Sequence, residues 1–570
     1  MLSVILIWSY MFLTTYLTGY GILRGVTRAT PYRVRHQDAY LVCGLAGVTV
    51  YAQFFSLLGP VGLAANLLLC LWCVLTAWYF RRELAGQVRE TWKSVLENKS
   101  GERGKMLAAG FLFLLFAYGA SRGMIHYDTG LYHAQSIRWI EEYGVVKGLG
   151  NLHCRLAYNS SSFALSALYS MAFLGGQSFH CGAGFLALIL SGVCLEAVGS
   201  LRKRRLRTSD FARVMGIYYL VNIFDEMVSP ASDYFMVLIA FYIVIRWLGL
   251  LEEEIKEILP YGMLCVLGVF LMTVKLSAAL ILLLVIYPAC LLLREKRWKE
   301  IGKYLLLGIV TALPFFIRNV LLSGWLVYPF TRIDLFDVVW KIPRGLADYD
   351  AKEIQVWGRG YTDVTRYDIS MKEWLPGWFR SLAGSDKLFT AAAVTAMGVL
   401  FVYGIGMLCG LWKRRWNILL VQAVTAGSFL FWLCTSPLIR YGCVYVYLTP
   451  AVVFGGIYDA VLSGGVKCGG TVSGWRKIFS LCAAAAVTLL LVYKMAALGK
   501  EIVSSYVNDY WIVQKDYENY ETLPYEIEGV TFYYPVQGDQ AGYEAFPSAP
   551  SKVEVEFLGA DIRDGFRAAQ

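Results

Sequence analysis

Two imidazoles and a carboxylate lie within one short stretch, His126-Tyr127-Asp128-Thr129-Gly130-Leu131-Tyr132-His133. A carboxylate within hydrogen-bond reach of a hydroxyl can take its proton as a new bond forms, which makes Asp128 a candidate general base. Further ionisable residues stand beside apolar runs. Asp225, Glu226 and Asp233 share the stretch Asp225-Glu226-Met227-Val228-Ser229-Pro230-Ala231-Ser232-Asp233, and Lys275 sits alone in Met272-Thr273-Val274-Lys275-Leu276-Ser277. Arg318-Asn319 ends an apolar run, and Arg440 follows Ser436-Pro437. Unpaired charge in or near an apolar span is costly, so these residues are functional candidates by default. Lys275, Arg318 and Arg440 suit a phosphate: arginine grips it with a planar fork, lysine acts as a point charge.

Each of these residues also has a plainer reading. His126 and His133 read as hydrogen-bonding groups, because the chain has five histidines without tight pairing. Asp233 serves either a site or the N-cap of the helix beginning at Tyr234. Asp225 and Glu226 read as a solvated cap. Arg318 and Arg440 are either phosphate ligands or anchors at a span end. Tyr441, Tyr445 and Tyr447 read as packing or an interfacial belt. Trp357, Trp374 and Trp378 either stack on sugar rings or lie on the membrane.

The elements that position these residues are membrane spans. The 570 residues are 57% hydrophobic and 16% charged, with a mean hydropathy of +0.51. A soluble domain carries about 25% charged residues. Crossing about 30 Å of hydrocarbon takes about 20 residues of helix. Fourteen apolar runs are candidates: residues 1–22, 41–58, 61–80, 106–124, 182–199, 211–224, 234–250, 261–274, 276–293, 304–322, 388–411, 418–434, 442–461 and 478–498. The first reads as a retained span, since it lacks a basic leader and a cleavage-like end.

The net charge of +10 comes mainly from short loops, where basic residues mark the cytoplasmic side and no nucleic-acid surface is implied. Those segments are 24–36, 81–105, 202–207, 294–303, 413–415 and 467–477. They agree on one topology only if the Ser- and Ala-rich run 160–174 does not cross, so it is expected to be re-entrant or interfacial. Both termini then lie outside. The organisation expected is N-terminal spans with a basic loop (1–105), a membrane core (106–322) with its first outer loop at 125–159, a large outer loop (323–387), C-terminal spans (388–498) and an outer tail (499–570). Alternation in Val530-Thr531-Phe532-Tyr533-Tyr534 and Val553-Glu554-Val555-Glu556-Phe557 predicts short strands in that tail. Thirteen cysteines are scattered, mostly in apolar runs; Cys70-Leu71-Trp72-Cys73 reads as core packing, and Cys154 and Cys181 are both expected outside.

This arrangement resembles the C-type glycosyltransferases, GT-C. Their first outer loop begins with an acid near a span's end, which Asp128 in Tyr127-Asp128-Thr129-Gly130-Leu131-Tyr132 matches, followed by an aromatic-containing helix (Ser136-Ile137-Arg138-Trp139-Ile140). The resemblance implies an all-α polytopic membrane fold of about fourteen transmembrane helices with a small outer C-terminal α/β or β segment. It implies inverting transfer of a sugar from a polyprenyl-phosphate donor to a glycan, lipid or protein acceptor, at the outer face of a bacterial inner or plasma membrane. Asp128 takes the base role. Tyr132, His133, Asp233, Lys275, Arg318, Asn319 and Arg440 take substrate-binding roles. A divalent cation is left open, because Thr129 follows Asp128 where a second acid would stand. The segments Phe546-Pro547-Ser548-Ala549-Pro550, 559–567 and Trp340-Lys341-Ile342-Pro343, with Arg318-Asn319, are also similar to a group of uncharacterised bacterial multispanning proteins. Alternatives are a polysaccharide polymerase or ligase, and a lipid-linked glycan transporter or flippase; the transporter predicts inverted repeats, and no fixed-period repeat is evident.

Overall fold

A computed structural model describes residues 1–28, 32–97, 102–203, 206–410, 415–463, 471–504 and 509–569. Arg204, Arg205, Lys413, Arg414 and Lys467, which belong to the basic loops above, lie outside the described residues.

The chain is mostly helical. It opens with α1 (Leu2–Thr27), α2 (Asp38–Ser56), α3 (Leu63–Tyr79), α4 (Arg81–Leu96) and α5 (Glu102–Ser121). A loop region follows with α6 (Ala134–Glu142), α7 (Leu149–Leu152) and α8 (Ser161–Tyr169). Next come α9 (Gly182–Arg202), α10 (Thr208–Asn222), α11 (Ser232–Glu252), α12 (Ile258–Val274), a 3-10 stretch (Leu276–Val285) continuing as α13 (Ile286–Arg294), and α14 (Trp298–Ser323). A second loop region carries α15 (Arg344–Gly358) and α16 (Met371–Ser381). The last helices are α17 (Gly384–Leu408), α18 (Trp416–Thr435), α19 (Ile439–Ser463) and α20 (Thr471–Ser504).

Among the described residues, eleven helices are long and apolar enough to cross a membrane, or twelve if the bent pair α3–α4 is one span. The chain is a multi-pass membrane protein. The other three of the fourteen expected runs are also helical, but α3 and α12 have 17 residues each and α10 has 15. At 1.5 Å per residue these reach about 22–26 Å, short of the full hydrocarbon width.

Successive helices reverse direction, so charged groups collect at two ends. One end is basic. There Arg246 pairs with Asp38 at 2.7 Å and Glu196 at 3.0 Å, Arg213 with Glu196 at 2.8 Å, and Arg35 with Glu253 at 3.0 Å. The opposite end carries the starts of α9, α11 and α19, the ends of α5, α12 and α14, both loop regions and the tail.

Helix α11 stands in the centre. Every residue from Ser232 to Leu248 is buried, as befits a helix apolar all round. By contrast α17 and α20 expose long apolar faces such as Phe401, Leu408, Leu489 and Tyr493. Helices α1 and α2 cross at Gly19 and Gly44, where a Cβ on Gly44 would stand 2.8 Å from the Gly19 nitrogen. Small residues let backbones approach this closely in membranes.

The run 160–174, expected to be re-entrant or interfacial, holds the short helix α8, tied at both sides to the end of the bundle that carries the loop regions. Ser160 donates to the Val274 carbonyl at 2.8 Å, and the return limb is held where Gln177 donates to the Gln514 carbonyl at 3.0 Å. Its nine residues span about 13 Å, too short to cross.

The tail forms two antiparallel pairs, β1 (Thr522–Ile527) with β2 (Val530–Pro535), and β3 (Val555–Phe557) with β4 (Phe566–Ala568). β2 and β3 fall on the two alternating patches. A separate core built from Trp139, Phe532, Phe557 and Phe566 fuses the tail to the first loop region. Cys154 and Cys181 are both free, as is the buried Cys73.

Candidate functional site

Residues Thr129–His133 form one wide π-helical turn that runs directly into α6. Such turns are rare and frequent at functional sites. Asp128 precedes the turn, and Tyr132 and His133 end it.

Arg440, at the start of α19, reaches this loop from the other side. Its Nη2 donates to Asp128 Oδ2 at 2.7 Å, and its Nη1 contacts His126 Nε2. The other face of the His126 ring receives the Asp128 backbone N–H at 3.1 Å on Nδ1. A neutral imidazole has one lone-pair nitrogen, so only one of these donors is served at a time. Burial and then the Arg440 charge push His126 below the ordinary histidine range, which keeps the ring uncharged beside the guanidinium. All the hydrogen bonding to the Asp128 carboxylate falls on Oδ2; among the described residues Oδ1 accepts none. The side chain keeps 15% exposure, so Oδ1 is reachable. Arg440 Nε is buried and, among the described residues, has no hydrogen-bond partner.

A second acid–base pair lies beside the first. Asp233, in the first turn of α11, is bound by Lys275 from the α12 hairpin. The Lys275 ammonium also stands 3.8 Å from the centre of the Tyr441 ring, and the Arg440 guanidinium lies 5.0 Å from the same ring. Asp233 is therefore not an N-cap: that position belongs to Ala231, and no side chain caps the helix.

Underneath, Thr129 Oγ1 lies 3.0 Å from Ser229 Oγ and 3.2 Å from His133 Nδ1. His133 is buried against Phe163, and desolvation, followed by the charges of His126, Arg440 and Lys275, holds it well below its usual pKa. It is a neutral hydrogen-bonding ring, as the sequence suggested. Tyr132 packs on His133 and on Tyr158.

Arg318 and Asn319 form a neighbouring node. Arg318 is buried, donates from Nε to Asn159 Oδ1 at 2.8 Å and contacts Ser56 Oγ through Nη1. Asn159 in turn donates to Asn319 Oδ1 at 3.1 Å. Among the described residues no carboxylate pairs with Arg318, whereas Lys275 and Arg440 each have one. One turn from Ser56 on α2, Gln53 is fully buried with neither amide atom hydrogen-bonded among the described residues. The backbone Tyr158-Asn159-Ser160 joins this node to the acid cluster, through Tyr132 on one side and the Val274 carbonyl on the other.

Other candidates have structural roles. Asp225 pairs with Arg122 at 2.7 Å and with Lys494, tying α5 to α20. Glu226 accepts from the Tyr234 hydroxyl. Trp374 and Trp378 are buried, and Trp378 Nε1 donates to the Pro437 carbonyl at 2.9 Å, so these rings brace the α18–α19 turn rather than stack on a sugar or lie on the membrane. Trp357 is partly exposed and carries the Arg155 guanidinium 4.8 Å from its ring centre. Tyr445 and Tyr447 are core residues. Among the described residues, no three His, Cys, Asp or Glu side chains converge as a metal site; the partners of the two central acids are Arg440 and Lys275.

The tail closes over the π-turn. The Ala541 and Gly542 N–H groups donate to the Gly130 carbonyl at 3.1 and 2.9 Å, and Gln540 donates to the Tyr127 carbonyl at 2.8 Å. A side chain at Gly130 would meet the Tyr520 hydroxyl at 2.7 Å, so glycine is what admits the tail. Sequence reasoning missed this contact, and it missed Ser229 and the His126–Arg440 pairing; Tyr441, read from sequence as packing or an interfacial belt, stands between Lys275 and Arg440.

The joint between α6 and the tail contains a titratable bond. Glu141 accepts from Tyr543 at 2.5 Å and from Ser178 at 2.8 Å, and burial raises its carboxyl to about 7. A carboxyl raised on folding contributes stability that is full below its unfolded pKa and is lost as pH rises through the folded value. Hydrogen-exchange protection of residues 541–549 is therefore expected to fall as pH rises from about 4.5, the ordinary carboxyl value, to about 7. Glu141→Gln is expected to flatten that dependence; an unchanged slope in the variant would show another group to be responsible.

Residues 1–447 match the family model described as "Domain of unknown function (DUF8201)". The chain belongs to that family. No curated protein and no solved structure matches it. Every candidate residue of this DUF8201 chain, from Asp128 to Arg440, falls inside the matched span. Helix α20 and the tail lie beyond it.

Proposed function

We propose that the protein is an inverting membrane glycosyltransferase that moves a sugar from a polyprenyl-phosphate donor to an envelope glycan, lipid or protein acceptor. The reading is supported above all by Asp128: Arg440 holds one carboxylate oxygen and leaves the other bare, at a helix end where neutral His126 and His133 and a carboxylate-free arginine also stand. In the proposed step the acceptor hydroxyl attacks the sugar C1 and gives its proton to Asp128 Oδ1. The C1–O bond to phosphate breaks, and the leaving phosphate keeps the electron pair. A single displacement needs no second nucleophilic carboxylate, in line with the two geometries of glycoside chemistry. Arg318 is the cation left to meet the departing charge, since Lys275 and Arg440 are each neutralised by an acid.

The side of the membrane follows the same reading. Among the described residues the basic segments gather at the end opposite Asp128, which favours an outward-facing site in a bacterial cell membrane. The test is mass spectrometry of lipids retained by the purified protein. Wild type and Asp128→Asn are expected to keep a polyprenyl phosphate or its sugar adduct, and Arg318→Gln to lose it at least about tenfold, the scale of one charged hydrogen bond. Retention of phospholipid alone by all three proteins would remove the donor from the scheme.

A further inference from the structure

A cavity of about 380 Å³ opens at the basic end, and no residue of the candidate site lines it. Its walls come mainly from α1, α2, α11, α12 and α14, with Glu196 of α9, Arg213 of α10 and the segment before α2 at the charged end. Along α2 it runs from Ala39 to Val50, and its inner end is formed by Val50, Phe270 and Thr311. Eleven residue steps of helix at about 1.5 Å each make it about 16 Å long, roughly half of a 30 Å hydrocarbon core. The walls are apolar, with Val42, Cys43, Met263 and Leu267 among them, while Arg35, His36, Arg246 and Glu253 surround the mouth.

An apolar shaft one leaflet deep, opening on charge, has the dimensions of a lipid chain with its head at the mouth. The charge at that mouth is available unequally. Arg246 is committed to Asp38 and Glu196, and Arg213 to Glu196 and Asp210. Arg35 has one carboxylate partner, Glu253, and the two side chains are 46% and 39% exposed. An exposed pair of this kind contributes little and exchanges readily. The surrounding segment adds Arg33, while Arg24 is paired with Glu83 and Arg28 donates to the Tyr79 hydroxyl at 3.4 Å; basic residues at a membrane surface attract anionic headgroups.

We propose that this cavity binds one anionic phospholipid from the leaflet at the basic end, one of its two acyl chains in the shaft and its phosphate on Arg35. The occupant's head stands at the end opposite Asp128, so this lipid is distinct from the sugar donor.

Cys43 lines the shaft and reports on it without mutation. Full-length protein, exchanged into detergent, is treated with N-ethylmaleimide, and alkylation is read on the Cys43 peptide by mass spectrometry. Added phosphatidylglycerol is expected to slow that reaction at least fivefold, and phosphatidylcholine to slow it less than twofold. Gly249→Trp fills the shaft from a position where a Cβ meets nothing within 4 Å. It is expected to cut phosphatidylglycerol retained by the purified protein at least fivefold, with an unchanged melting temperature. Arg35→Gln, at an exposed position, is expected to abolish the preference for phosphatidylglycerol over phosphatidylcholine. Alkylation at Cys43 that neither lipid slows overturns the site, and equal protection by both lipids overturns the anionic head.

Discussion

Asp128→Asn is expected to lower the turnover of sugar transfer by about 10²–10⁴-fold, the usual contribution of a positioned general base. Asparagine keeps the shape of aspartate, and its carbonyl oxygen can still accept from Arg440 Nη2, so the loop, the π-turn and the tail contacts are expected to stay in place. What disappears is the unoccupied oxygen able to take a proton. The signature is a fall in kcat with little change in the donor KM and an unchanged melting temperature, because the interaction lost is one made in the transition state. The assay is transfer of labelled sugar from the donor identified by lipid retention. Full activity in Asp128→Asn would move the base role elsewhere, with Asp233 the next carboxylate at the same helix end.

Arg440→Lys is expected to cost about 10–100-fold in kcat/KM, equivalent to losing one charged hydrogen bond of about 1.5–3 kcal/mol. The guanidinium reaches Asp128 with one nitrogen and His126 with another, while its edge lies near Tyr441. A lysine ammonium is a single point and cannot hold both groups. Arg440→Gln removes the charge altogether and is expected to be worse in both activity and melting temperature, since it strands the partly buried Asp128 carboxylate. Combining Arg440→Lys with Asp128→Asn separates the roles. If arginine acts by orienting the carboxylate, the double variant is about as active as Asp128→Asn alone; additive losses would mean that Arg440 acts on the substrate independently.

The candidate site was legible in the sequence to the extent that its members carry charge in apolar surroundings. Asp128, Asp233, Lys275 and Arg440 stand out for that reason, and the alternation of spans and basic loops puts them at one end. Their partners were not legible. Lys275 and Asp233 are 42 residues apart and Arg440 and Asp128 are 312, separations no local pattern encodes. The sorting of cations into two that are neutralised and one without a carboxylate depends on distances across five helices. The tail is a similar case: its strands show in period-two alternation, but its seat on Gly130 shows only as an absent side chain.

The class of solvent this chain folds in, the approximate positions of its helices and the strands of the tail can all be read from the amino-acid order. Each follows from local quantities, namely hydropathy, length and the sign of charge, that act on a segment regardless of its neighbours. Packing between helices is needed to see that Asp233 binds Lys275 instead of capping its helix, that Trp374 and Trp378 are buried braces, and that Asp128 offers one oxygen without a partner among the described residues. A charged or aromatic side chain in a low-dielectric interior is stable only with a partner, and the choice among partners is made by how the helices pack.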